Sequence, residues 1–125
     1  MVKILMVGMG GFAGAICRYL IYEATLVAYK GVWLPLGTFI VNISGCFVIG
    51  FLGGLSEARE IFTPEIRALV FIGFLGGFTT FSSFGYEIFF LARNDQVGIA
   101  LANLGLQVIL GISCVWLGFA LSRFF

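Results

Sequence analysis

The chain has 125 residues, of which 61% are hydrophobic and only 10% charged, with a mean hydropathy of +1.12. A soluble domain carries about 25% charged residues, so this composition excludes a soluble fold and reads as a single integral membrane domain, residues 1–125. The net charge of +1 and the lack of any basic patch exclude nucleic acid as a partner, and the absence of histidine excludes imidazole metal sites and imidazole acid–base chemistry.

Apolar runs of roughly 20 residues are long enough to cross a bilayer as helices. Four such runs are expected, at about 4–29, 33–55, 65–91 and 97–121. Lys3 precedes the first run, but no short apolar stretch ends at a cleavage site, so it reads as a retained span. Residues 2–13 match a strand-GxGxxA dinucleotide fingerprint. That motif needs a second strand ending in an acidic residue about 20 positions on. Here the chain stays apolar through Tyr29, and the fingerprint fails. Gly10 and Gly14 read instead as a GxxxG pair for close helix packing. Arg18 lies four residues further along that face. Arginine inside a span costs roughly 2.5–3.5 kcal/mol on insertion scales and faces protein or water. It either snorkels to the interface or places positive charge in an aqueous vestibule, the reading favoured here.

Pro35 suits the start of the second span. Thr38, Asn42 and Gly45 share one helix face, and Asn42 mid-span needs a hydrogen-bond partner. It serves either as interhelical glue or as pore lining. Gly50 and Gly54 form a second GxxxG packing pair. The charged segment 56–60 is expected to be a loop. Thr63-Pro64-Glu65 then reads as an N-cap followed by proline at the first helical position.

The third span holds the most informative feature. Residues 76–84 read GGFTTFSSF, with two glycines, four hydroxyl residues and three phenylalanines in nine positions. Lipid offers the backbone no hydrogen-bond partners, so a helix breaks inside a membrane only against protein or a polar cavity. Such breaks mark ion and substrate sites. The break is expected near 76–80. Phe71 and Phe74 read as packing, whereas Phe81 and Phe84 alternate with Ser82 and Ser83 beside the break. An aromatic ring has a positive edge, and edges aimed at a small anion attract it without a trapping charge. Glu87, one turn on, either snorkels or bonds at a pore mouth. Residues 93–95 are a loop. In the fourth span Asn103, Gln107, Gly111 and Cys114 share a face that lines a polar path or packs on a partner.

Cys17, Cys46 and Cys114 read as small buried residues rather than a disulfide framework. Tyr29 and Trp33 suit an interfacial aromatic belt. An even number of spans puts both termini on one side, with Lys3, Arg59, Arg67 and Arg123 there against Lys30 and Arg93 opposite, plus Arg18 if it faces that way. That bias is weak under the positive-inside rule. Charge alone leaves open whether the chain inserts one way or both ways as an antiparallel dimer.

The motifs of residues 10–15 with Arg18-Tyr19, residues 38–45, and residues 76–84 with Glu87 resemble the Fluc family of bacterial fluoride channels across all four spans. The resemblance implies an all-α, multi-pass protein of the bacterial inner membrane, not an enzyme. Its third helix would be broken, and it would assemble as a dual-topology antiparallel homodimer among membrane lipids. It further implies two pores that export fluoride passively and limit its toxicity. Carried over residue by residue, Phe81, Phe84, Asn42 and Ser82 would line the pore and Arg18 its vestibule. The carbonyls of Gly76 and Thr79 would hold a structural Na⁺ at the dimer interface. Ser113 is the candidate for a further hydroxyl in the fourth span. The alternative is a small dual-topology multidrug exporter that exchanges protons for cations through a first-span carboxylate, for which Glu23 is the candidate.

Overall fold

A computed structural model describes residues 1–29, 35–59 and 62–125. The expected turn at Lys30-Gly31, the belt residue Trp33, the first residues of the second span and Glu60 lie outside the described residues. All regular structure among those described is helical. Four helical segments are long and apolar enough to cross a membrane, Val2–Ala28, Leu36–Arg59, Pro64–Arg93 and Val97–Ser122.

Helix α1 is Val2–Ala28, whose 27 residues span about 40 Å at 1.5 Å per residue. Helix α2 is Leu36–Arg59. Pro35 stands just before it, its carbonyl accepting from Phe39 N–H at 3.2 Å. The expected loop at 56–60 is a correction. Residues 56–59 extend α2, and Ser56 is buried. Charge alone does not stop a helix. Glu57, Ala58 and Arg59 are good helix formers, and Arg59 in the last turn suits the helix dipole.

The third span is built in pieces. Helix α3, Pro64–Arg67, opens with Thr63 as N-cap, its hydroxyl accepting from Ile66 N–H at 3.3 Å. A π-helical segment, Ala68–Leu75, follows, then helix α4, Gly76–Phe78. Helix α5 is Phe81–Arg93. After a turn with Asp95 at φ 60°, helix α6 runs Val97–Ser122. Nothing in the residues 68–75 signals the wider helix. Such segments are uncommon and cluster at functional sites.

The packing places α1 against the π segment and α4, α2 against α6, and α5 against α6. Both main contacts are backbone to backbone. A Cβ on Gly14 would press on the Phe74 carbonyl and lie 2.9 Å from Phe78 N. On α6, a Cβ on Gly118 would strike the Phe47 carbonyl and lie 2.8 Å from Phe51 N. Small residues thus bring helices together where lipid supplies no hydrophobic drive. The buried apolar residues described are few, Val41, Ala68, Leu75, Phe78, Phe84 and Ala100, while every long helix leaves large apolar side chains exposed.

Candidate functional site: a broken third helix and its polar wall

The break is narrower than the sequence indicates. Gly76 and Gly77 remain helical, and Thr79 (φ −79°, ψ 159°) and Thr80 (φ −150°, ψ 114°) are the extended pair. Gly77 serves packing instead, since a Cβ there would lie 2.6 Å from the Gly11 carbonyl of α1. Threonine is β-branched and favours extended backbone, and its hydroxyl replaces lost helix bonds. Thr79 Oγ1 donates to Leu75 O at 2.9 Å. Thr80 Oγ1 accepts from Ser83 N–H at 3.2 Å and caps α5. It also donates to Ser83 Oγ at 3.1 Å and stands 3.2 Å from Ser82 Oγ.

Asn42 patches the break from α2. Its Oδ1 accepts from Thr80 N–H at 2.9 Å, and its Nδ2 donates to Thr80 O at 3.2 Å. The same Nδ2 donates to Gln107 Oε1 of α6 at 2.8 Å, and Gln107 Nε2 donates to Asn103 Oδ1 at 3.0 Å. The direction of this chain is set at one end. Thr80 N–H can only donate, which fixes Asn42 Oδ1 and then each amide after it. The chain ends on Asn103 Nδ2, buried and without an acceptor among the described residues. Asn42 therefore joins α2 to the break and to α6, the interhelical role that was one of its two sequence readings.

Arg18 of α1 reaches the same place. Its Nη1 donates to Thr79 O at 3.3 Å. It is half-buried and engages the interior of the span, so it adds to neither loop in the count of basic residues. The remaining guanidinium N–H groups stay available.

Beside the break lies a cavity of 420 Å³ lined by Asn42, Thr79, Thr80, Phe81, Phe84 and Gln107, among others. Phe81 and Phe84 have ring centroids 5.8 Å apart and tilted by 57°. Their settings differ sharply, for Phe81 is 82% exposed and Phe84 only 7%. Ser82 is exposed at the start of α5. Cys46 and Phe71 also line this cavity. Phe71 packs edge-on against Phe62, with ring centroids 6.0 Å apart. Cys46 lies one helical turn from Asn42, so the two share a face. All three cysteines are half-buried rather than buried.

A second polar group lies further along α5. Tyr22 OH and Thr38 Oγ1 are 2.9 Å apart, and Thr38 Oγ1 donates to Glu87 Oε1. The single Thr38 proton is used on Glu87, so Tyr22 is the donor to Thr38. Glu87 is thus held inside by helices α1 and α2 rather than snorkelling. Its Oε2 is buried without a partner among the described residues.

Two candidates fall elsewhere. Ser113 is exposed on α6 beside Trp116 and Leu117, away from the break. Gln107 is the fourth-span residue hydrogen-bonded to Asn42 beside the break, and the face it shares with Asn103 was the available signal. Glu23 is exposed late on α1 and joins neither polar group.

For a cation, the structure offers neutral oxygens. Among the described residues no group of three or more Cys, Asp or Glu converges. Gly76 is exposed and its carbonyl receives no backbone N–H from Thr80, which turns to Asn42. Thr79 O accepts Arg18 and keeps a second lone pair. Both carbonyls fit the oxygen preference of a hard cation.

Residues 5–119 match the family described as CrcB-like protein, Camphor Resistance (CrcB). The chain belongs to the CrcB family. It is 42% identical over 120 residues to a protein of Chlorobium phaeobacteroides named fluoride-specific ion channel FluC, covering 96% of this chain and 92% of that one. It is also 42% identical over 124 residues to a protein of that name from Methylobacillus flagellatus, covering 98% of this chain and 96% of that one. A third such protein, from Maridesulfovibrio salexigens, is 42% identical over 121 residues, covering 97% and 95%. With four membrane-crossing helices, this CrcB-family chain is a multi-pass membrane protein of a bacterial cell membrane.

Proposed function

We propose that the protein is a fluoride channel that lets the ion leave the cell down its gradient. The observation that carries this reading is the 42% identity, over 96% of the chain, to a protein named as a fluoride-specific channel. The multidrug-exporter alternative is not favoured, because Glu23 stands apart from the polar interior.

The chemistry of the break supports the same reading. Fluoride holds its water strongly, so a path must substitute donors and positive ring edges for that shell. Phe81 and Phe84 offer ring edges and Asn42 an amide beside one cavity, and Ser82 follows Phe81 with its hydroxyl 3.2 Å from Thr80 Oγ1. Both Asn42 Nδ2 hydrogens are engaged, and the 3.2 Å bond to Thr80 O is the longer and easier to yield to an anion. Arg18 raises the local anion concentration beside the break, where its Nη1 donates to Thr79 O.

Two chains of opposite orientation form the working unit, with two pores. The exposed apolar side chains of every long helix then have a surface to meet. Na⁺ sits between the two breaks as a structural ion, held by the carbonyls of Gly76 and Thr79 from each chain.

The test is flux from liposomes reconstituted with the purified protein. Passive fluoride efflux, independent of a proton gradient, is expected. Efflux of organic cations driven by protons, with no fluoride movement, would overturn the proposal.

A further inference from the structure

In an unbroken helix the N–H of residue 80 serves the carbonyl of residue 76. Here Thr79 N–H still serves Leu75 O at 3.0 Å, the last such bond before the break. Thr80 N–H instead donates to Asn42 Oδ1 at 2.9 Å. No other backbone N–H among the described residues replaces it at Gly76 O. Among the described residues beyond its own helical turn, a Cβ placed on Gly76 would meet only the Phe71 carbonyl, at 4.0 Å.

We propose that Asn42 is a positioning residue for the cation site: by holding the Thr80 N–H, it keeps the Gly76 carbonyl free to face the ion. This rests on the sodium reading above. Thr80 is only 7% exposed, so its N–H has little access to water. Without the Asn42 oxygen it would be left unpaired, which a buried N–H does not tolerate without penalty. The acceptor nearest along the chain is Gly76 O, reached by rejoining the helix. That move would turn an ion ligand into an ordinary helix acceptor. One amide on α2 thereby serves the wall of the anion path and the cation site together.

The experiment is a Na⁺ titration of the thermal midpoint of the purified protein, after prolonged dialysis into a sodium-free buffer. Asn42→Ala is expected to raise the half-maximal Na⁺ concentration at least about tenfold, the equivalent of about 1.4 kcal/mol. Asn42→Asp keeps an oxygen for Thr80 N–H and should titrate like the parent or more tightly. Gln107→Leu removes the other partner of Asn42 and should leave the titration in place. Replacing the Thr80 amide by an ester, which deletes the N–H, should restore the titration in Asn42→Ala. A parental titration in Asn42→Ala, or an equal weakening in Asn42→Asp, would overturn the inference. If Asn42→Ala does not purify folded, Asn42→Asp decides by the same criterion. A parent protein indifferent to Na⁺ would remove the sodium site and this inference with it, whereas fluoride efflux tests the channel separately.

Discussion

The two halves of the third span are built for different work. Before the break, Ala68, Gly73, Leu75 and Phe78 are buried, and the glycines of α1 lie against the backbone of this half. After the break, α5 buries Phe84 alone and leaves Phe81 and Ser82 exposed. One half is anchored by shape, through contacts no side chain can relax. The other is held by directional bonds at its first turn, from Thr80, Asn42 and, further on, Thr38. Rigid packing on one side of a break lets the other side present groups that packing has not consumed.

The sharpest way to break this comparison is to disturb the anchored half. Gly14→Ala places a methyl against the Phe74 carbonyl and 2.9 Å from Phe78 N. No rotamer relieves a backbone clash, so α1 must move away. The expected loss is about 3 kcal/mol or more, at the upper end for overpacking, read as a collapse in folded yield and thermal midpoint. Gly8→Ala is the control, since nothing lies within 4 Å of a Cβ there. It should match the parent or gain about 0.5–1 kcal/mol from the better helix former. Equal tolerance at both positions would show that the α1 contact is not what anchors the span.

Substitution of the two rings should give different losses of stability and similar losses of flux. Phe84→Ile empties part of a buried site and should lower stability by about 1–3 kcal/mol. Phe81→Ile removes a ring that is 82% exposed in the single chain, so its thermal midpoint should move little. Both variants should lose flux at least about tenfold, equivalent to about 1.4 kcal/mol of barrier. Full fluoride efflux from folded Phe81→Ile would remove the ring-edge mechanism. A large stability loss in Phe81→Ile alone would place that ring in an interface between chains.

What could be read from the residues divides along the same line. The helical class and four apolar helices follow from composition and run length. The break follows from hydroxyls and phenylalanines crowded where lipid tolerates neither. Its width is overstated when glycine is weighed as a helix breaker, since Gly77 is there for the approach of α1. The helical residues 56–59 were misread because charge marks exposure, not helix ends. The π segment leaves no mark in sequence, because it depends on the neighbour it packs against. Gln107 as the partner of Asn42 was also out of reach, since a face pattern says which residues align on one helix but not what lies opposite.

The smallest expected effect sharpens the comparison on α6. Asn103 and Gln107 face the break and are buried, whereas Ser113 is exposed beside Trp116 and Leu117. A hydroxyl at a lipid-facing or partner-facing surface, outside the amide chain, holds nothing at the break in place. Ser113→Ala should therefore leave both fluoride flux and thermal midpoint within error, as surface substitutions usually change stability by under about 0.5 kcal/mol. Gln107→Ala is the contrasting variant. It removes the acceptor of Asn42 Nδ2 and the donor to Asn103 Oδ1 together. Leaving the buried Asn103 Oδ1 and one Asn42 Nδ2 hydrogen unpaired should cost about 1–3 kcal/mol and reduce flux. A flux loss in Ser113→Ala with none in Gln107→Ala would return the fourth-span role to the hydroxyl. It would also mean that the amide chain is packing alone, and that the working surface of α6 is the one turned away from the break.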